Sequence, residues 1–424
     1  MGLAQPTRRT VLAAVGLGVL GAVASACTRS SEKDAGPHKP TVRIDYAAAD
    51  KPIGAEPINP TAKVTVTVRD GVLNPDVKLL RPDGKVVPGT MAPDRSSFTL
   101  DEPLGYGKTY TWSGTATGFD RVSVDLAGKV VTVAPKAIAE MTVNIGDGQT
   151  VGIAAPVILK FNRTITDKAA VEKALTVTTE PATEGAWGWL GEDNGSRIHW
   201  RPREYYRPGT KVHVEANLYG LDCGDGVYGD SDVTVDFAVG RSQIVKADAN
   251  SHQIVVVRDG APIMTLPCSY GGGDLDRNVT RSGTHVVTEK WADFYMTNPA
   301  AGYFRIRERW AVRISNNGEF IHANPETVGV QGSSNVTNGC INLSLANAQR
   351  YFESAIYGDP VEVTGTRIAM SERDGDIYDW IYSWAQWKQF SAVKHTVPVR
   401  SAPATPSGAP KVPPASARPA PAPR

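Results

Sequence analysis

Two segments of this 424-residue chain carry the same pattern at an offset of 102 residues. Gly107-Lys-Thr-Tyr-Thr-Trp-Ser-Gly-Thr-Ala-Thr-Gly118 matches Gly209-Thr-Lys-Val-His-Val-Glu-Ala-Asn-Leu-Tyr-Gly220 in spacing and in alternation. A period close to 100 residues is the length of one immunoglobulin-like sandwich. The surrounding text agrees. Val64, Val66 and Val68 alternate with Thr65, Thr67 and Arg69, and Val122, Val124 and Leu126 alternate with Ser123 and Asp125. Asp70-Gly71, Asp83-Gly84 and Pro88-Gly89 punctuate these runs, as turns between antiparallel strands require. Residues 41–135 and 136–240 are therefore expected to form two sandwiches. The second has strands near 141–145, 156–161, 174–179, 197–201, 211–217 and 232–239. Tyr110 is placed to make a tyrosine corner. Neither unit clusters titratable groups, and both read as spacers.

Composition removes several function classes. Lys and Arg number 45 against 44 Asp and Glu, so a polybasic nucleic-acid binder is excluded as the simplest reading. A charged fraction of 21% with 41% hydrophobic residues belongs to a globular chain. The cysteines, at 27, 223, 268 and 340, include no CxxC pair, so nothing suggests a zinc or iron–sulfur framework.

The ends are addresses and tethers. Arg8 and Arg9 precede an uncharged run from Val11 to Cys27, which is short for a membrane span and typical of a signal sequence over residues 1–27. Thr7-Arg8-Arg9-Thr10-Val11-Leu12 resembles a twin-arginine export motif. Ala24-Ser25-Ala26-Cys27 resembles a bacterial lipobox, with Cys27 as the lipidated residue, although Ala24 stands where a larger aliphatic is usual. The alternative is ordinary secretion with Cys27 near the cleavage site. Both place the mature protein outside the cytoplasmic membrane. In the first it is lipid-anchored on the outer face or in the periplasm, reached through a flexible linker at 28–40. Residues 399–424 hold eight Pro and seven Ala with four basic and no acidic residues, and read as a disordered or polyproline-like tail.

A third unit, 241–366, opens with Gln253–Leu266, a hairpin around the two-residue turn Asp259-Gly260. Strands are expected near 284–289, 303–314, 319–322 and 361–364. A helix is expected at 344–356, with Ser344 as N-cap and Gly358 just past its end. In 367–398, the spacing of Ile377, Trp380, Ile381, Trp384 and Trp387 predicts one apolar helical face packed on the neighbouring domain. The fold class is thus mainly β, with two immunoglobulin-like sandwiches, a β-rich third domain with a helix, and a Trp-rich helical extension.

The chemistry concentrates in Phe320-Ile-His-Ala-Asn-Pro-Glu-Thr-Val-Gly-Val-Gln-Gly-Ser-Ser-Asn-Val-Thr-Asn-Gly-Cys-Ile-Asn-Leu-Ser344. Cys340 with His322 upstream fits an activated thiol nucleophile, because an imidazole can take the thiol proton and raise the thiolate population. Gly339 lets the backbone approach closely and present amide N–H groups to an oxyanion. The competing reading has Cys340 as a small buried hydrophobe and His322 as a bonded histidine at a strand end.

His322, followed by Thr337-Asn338-Gly339-Cys340-Ile341-Asn342, resembles the HX(14–17)[S/T]HGChN signature of the YkuD-type L,D-transpeptidases. Gly260, Ser269-Tyr270-Gly271 and Ser282-Gly283-Thr284 fall where that catalytic domain has its strand ends. Arg201-Pro202 and Pro208-Gly209-Thr210 resemble the domain preceding it in mycobacterial members. The resemblance spans roughly 41–398, and with the lipobox and Pro-rich tail it is most similar to the divergent lipoprotein type. One departure is chemical, since Asn338 stands where the family has His and cannot carry charge near neutrality. Another is the short stretch between Met296 and Tyr303, in the region that forms the substrate lid, which implies a more open site.

The resemblance implies a two-step acyl transfer between peptidoglycan stem peptides, with Cys340 as nucleophile and His322 as acid and base. It joins a tetrapeptide stem to the side-chain amine of diaminopimelate in another stem as a 3-3 cross-link and releases D-Ala. It further implies an oxyanion held by the N–H groups of Gly339 and Cys340, His322 held by the backbone carbonyl of Ala323, loop support from Asn342, a lid lined by Tyr303 and Met296, substrate contacts at Tyr303, Met296, Ala323, Asn338 and Asn342, acylation by carbapenems, and no need for a metal or organic cofactor. The expected state is a monomer with no nucleic-acid partner. Hydrolysis as an L,D-carboxypeptidase and a non-catalytic wall-binding lipoprotein are the alternatives. Cys223 and Cys268 are either bridged between domains or two free thiols, since export permits a disulfide.

Overall fold

The computed structural model describes residues 41–49, 51–299 and 302–393. The signal and lipobox with Cys27, the linker at 28–40 and the tail at 399–424 lie outside the described residues. The rest is mainly β, with a few short helices.

In the first sandwich the alternation works as expected. Val64, Val66 and Val68 are buried, Thr65 and Thr67 are half-buried, and Arg69 is exposed. They meet Leu73, Leu79, Tyr110 and Trp112 in one apolar cluster. Tyr110 makes the corner, its buried hydroxyl accepting a hydrogen bond from the Gly105 N–H at 2.7 Å. The second sandwich has its own core around Leu159, Phe161, Trp187, Trp200 and Phe237. It contains two elements that the patterning does not signal, the strand Gly185–Trp189 and the helix Lys168–Lys173. The strand has a Gly at its first and fourth positions and buries Ala186, Trp187, Gly188 and Trp189 in a row, so it shows no period of two. The two sandwiches meet through tyrosines. Tyr106 donates to the Gly229 carbonyl at 2.8 Å and accepts from the Gly220 N–H at 2.7 Å.

The third unit has two sheets. One runs in the order Ala261–Pro267, Gln253–Arg258, Gln243–Asp248, Pro360–Thr364, Gly283–Val286. The predicted hairpin is its edge, with Asp259 and Gly260 both at positive φ (50° and 83°), as a two-residue turn of the primed kind demands. The other sheet runs Glu289–Asn298, Tyr303–Arg313, Phe320–Ala323, Ile341–Leu343. The helix Leu345–Ser354 starts at its Ser344 cap and buries Ala348 and Tyr351 in the core between them. Gly358 is not its terminator. The helix ends at Ala355, and Gly358, at φ 89°, accepts from the Ala154 N–H across the domain boundary, where a Cβ would come within 2.5 Å of Ala155.

Residues 372–390 do not form the single helix that their spacing predicts. They make three short turns, Asp379–Ile381, Trp384–Trp387 and Lys388–Phe390, the middle one closed by a Ser383–Gln386 capping box. The predicted packing on the neighbouring domain holds, and it overrides the helical period because each indole finds its own backbone or carboxylate acceptor there. Trp380 donates to Ala154, Trp387 to Ala186 and Trp384 to Glu184, each at 3.0 Å. The Arg201 guanidinium sits within 4.7, 5.4 and 5.0 Å of the Trp380, Trp384 and Trp387 ring centres. Burial there lowers its pKa to about 10. Trp387→Ala is expected to cost about 3–5 kcal/mol, the usual price of emptying a buried aromatic site. Denaturant unfolding followed by Trp fluorescence checks this, and an unmoved midpoint contradicts it.

Cys223 and Cys268 are free and buried, in the separate cores of the second sandwich and the third unit. Burial pushes their thiols up to about 11 and about 12, which makes them unreactive near neutrality.

Candidate active site

The strand Phe320–Ala323 runs parallel to Ile341–Leu343, with His322 paired in register with Asn342. Cys340 precedes the second strand by one residue, so a single parallel pairing brings together residues 18 apart in sequence. The turn before Cys340 is pinned from several sides. Gly339 stands at φ 117°, a conformation that a side chain would strain. The Thr337 hydroxyl donates to the Cys340 carbonyl at 2.6 Å, and the Thr280 hydroxyl donates to the Gly339 carbonyl at 2.8 Å.

That turn changes one expectation. The Gly339 N–H, expected to face an oxyanion, donates to the Thr337 hydroxyl at 3.2 Å. The Cys340 N–H has no partner among the described residues. Thr280 fixes its direction, because the Gly339 carbonyl and the Cys340 N–H share one peptide plane.

The Cys340 thiol is half-exposed and contacts the Gly318 carbonyl at 3.5 Å. His322 is 3% exposed, and its Nδ1 donates to the Ala323 carbonyl at 3.0 Å, the bond that the resemblance implies. A donor at Nδ1 leaves Nε2 as the nitrogen that exchanges a proton. Burial disfavours charge on this ring, but hydrogen bonding to Cys340 and to Glu308 outweighs it and raises the imidazole to about 10. The ring therefore keeps its proton near neutrality, beside the Cys340 sulfur.

A cleft of roughly 550 Å³ opens over Cys340, walled by Phe294, Met296, Tyr303, Phe320 and Asn338. Met296 and Tyr303 lie where the resemblance puts them, on a hairpin whose strands Glu289–Asn298 and Tyr303–Arg313 are long while only its tip is short. Burial, with Cys340 nearby, pushes the Tyr303 hydroxyl up. Asn338 is exposed at the rim. Ala323 and Asn342, grouped with the substrate contacts in the sequence reading, are 1% and 3% exposed and stand behind the reacting pair. Asn342 exchanges backbone hydrogen bonds with Ser269, and its side chain reaches Thr327 at 3.4 Å. The other histidines of this unit are committed elsewhere, His285 to the Arg281 carbonyl and His252 to Asn335.

Sequence reasoning missed Glu308. Its carboxylate lies 3.0 Å from His322 Nδ1. The available signal was a single acidic residue in the strand Tyr-Phe-Arg-Ile-Arg-Glu-Arg-Trp-Ala-Val-Arg.

Residues 242–363 match the model of the L,D-transpeptidase catalytic domain, and residues 55–222 match that of a bacterial Ig domain. L,D-transpeptidase 5 of Mycobacterium tuberculosis is 55% identical over 91% of this chain and 86% of its own. L,D-transpeptidase 2 of the same species is 34% identical over 80% and 83%. A solved LD transpeptidase in complex with imipenem is 30% identical over 53% of this chain and 97% of its own, with a TM-score of 0.45.

Proposed function

The chain belongs to the L,D-transpeptidase family, and from that premise we propose that it cross-links peptidoglycan stems by acyl transfer through Cys340. The observation that carries this reading is Cys340 in the wall of an open cleft with the buried His322 ring beside it, the ring's Nδ1 held by the Ala323 carbonyl.

The Cys340 thiolate attacks the carbonyl that precedes the terminal D-Ala of a tetrapeptide stem, and the developing oxyanion is met by the Cys340 N–H. Collapse breaks the C–N bond as His322 gives its proton to the leaving amine, so D-Ala departs and a thioester remains. The now neutral imidazole takes a proton from the side-chain amine of diaminopimelate in a second stem. That nitrogen attacks the thioester, a 3-3 amide forms, and the thiolate and imidazolium are restored. Phe294, Met296, Tyr303 and Asn338 supply the walls that receive the stems. Carbapenems enter by the same attack, since opening the β-lactam leaves an acyl group on sulfur. The protein works as a monomer outside the cytoplasmic membrane, anchored through Cys27, and the sandwiches carry the catalytic unit away from the lipid.

Intact-mass measurement after exposure to a carbapenem tests the reading. One adduct per chain is expected, and an unmodified mass overturns it.

Asn338→His is expected to raise carbapenem acylation. An imidazole at the rim adds a group that titrates near neutral pH, and its cation stabilises the Cys340 thiolate, neither of which Asn provides. Acylation rates against pH for both proteins decide it. Coincident profiles mean that position 338 is chemically neutral.

A further inference from the structure

We propose that Glu308 is a positioning residue for His322, so that the reacting group is a Cys–His–Glu series in place of a cysteine–histidine pair held by a backbone carbonyl alone. The inference rests on the reading of Cys340 as the nucleophile and goes beyond it.

Glu308 lies on the strand Tyr303–Arg313, between the Glu289–Asn298 strand and the strand that carries His322. It pairs in register with Phe294, a wall of the cleft, which places its side chain on the hairpin face turned toward the site. A register shift follows between Arg309 and Val312, where Trp310 stands at φ 54°. A bulge of this kind re-aims the side chains beside it. The carboxylate is 14% exposed and 3.0 Å from His322 Nδ1. The same nitrogen donates to the Ala323 carbonyl at 3.0 Å, so the carboxylate stands beside that N–H as its counter-charge.

The two groups do different work. A carbonyl orients the ring and selects its tautomer. A carboxylate does this and also stabilises the positive charge that appears when the ring takes a proton. Neighbouring cations do not compete for it. Arg307 and Arg309 pair with Asp293 at 2.6 and 3.3 Å, and Arg305 lies over the Tyr295 ring. Among the described residues the ion pair of Glu308 is with His322. The titratable groups that face the ring are Glu308 from the hairpin and Cys340 from the turn before Ile341–Leu343, with Tyr303 beside Cys340.

The sign follows. An opposite charge favours the imidazolium, so removing it makes the ring release its proton at lower pH. His322 is followed by NMR in protein carrying 13C-labelled histidine, and carbapenem acylation is measured against pH. In Glu308→Gln the His322 midpoint is expected to fall by about 1–3 pH units, the usual effect of an opposite charge at this range. The alkaline limb of acylation should fall with it, and Glu308→Asp should restore part of both. A His322 midpoint that stays put in Glu308→Gln overturns the proposal, even if the rate drops uniformly. If Glu308→Gln does not fold, Cys340→Ala decides, because it keeps Glu308 and removes the thiolate. Its His322 midpoint should stay above the ordinary value of about 6.5, and a midpoint at or below that overturns the proposal. Wild-type protein that is never acylated contradicts the proposed function and leaves the titration intact.

Discussion

Cys340→Ala is expected to lose the carbapenem adduct completely while keeping its fold. The thiol is half-exposed, contributes little to the core, and touches the Gly318 carbonyl and His322. Loss of chemistry therefore has no route through loss of structure. The remaining described cysteines cannot substitute, since Cys223 and Cys268 are buried in separate cores with thiols pushed up to about 11 and about 12. Intact mass and circular dichroism read the two halves of this expectation. An adduct that persists in a folded Cys340→Ala protein refutes the assignment of the nucleophile.

His322→Gln is expected to lower the acylation rate by about 100- to 10,000-fold, the reach of a positioned acid–base group. The size of the loss reflects two roles in one ring. It stabilises the thiolate before attack and supplies the proton to the leaving amine after it. No nearby histidine takes over, because His285 and His252 bond to the Arg281 carbonyl and to Asn335. Glu308 is within reach of the same ring, but a carboxylate beside Cys340 opposes thiolate formation. Stopped-flow measurement of carbapenem acylation gives the ratio. A rate within a few-fold of wild type shows that another group activates the thiol.

The parts of this architecture written in local pattern were legible. Val64, Val66 and Val68 alternate because one sheet face is wet, and Asp259-Gly260 turns because both positions need positive φ. His322 and Cys340 stood out because a family signature fixes their spacing. What stayed hidden depends on contacts distant in sequence. Residues 372–390 have a helical period, yet the indoles of Trp380, Trp384 and Trp387 answer to two carbonyls and a carboxylate about 200 residues away, and those partners break the single helix. Gly185–Trp189 is buried from Ala186 onward and so carries no alternation. The resemblance puts the Gly339 N–H on the oxyanion, but the hydroxyl of Thr337, two residues earlier, takes it. Glu308 meets His322 only after a long hairpin folds beside the parallel pair, and a carboxylate amid arginines reads in sequence as a surface charge.

The most direct test of the central claim is incubation of the protein with a disaccharide-tetrapeptide, followed by mass analysis of the products. Transfer to a second stem predicts a dimer joined through diaminopimelate residues, with one D-Ala released for each bond formed. Tripeptide alone would mean that water is the acceptor and that the enzyme is an L,D-carboxypeptidase. Unchanged tetrapeptide from folded protein would contradict the account outright.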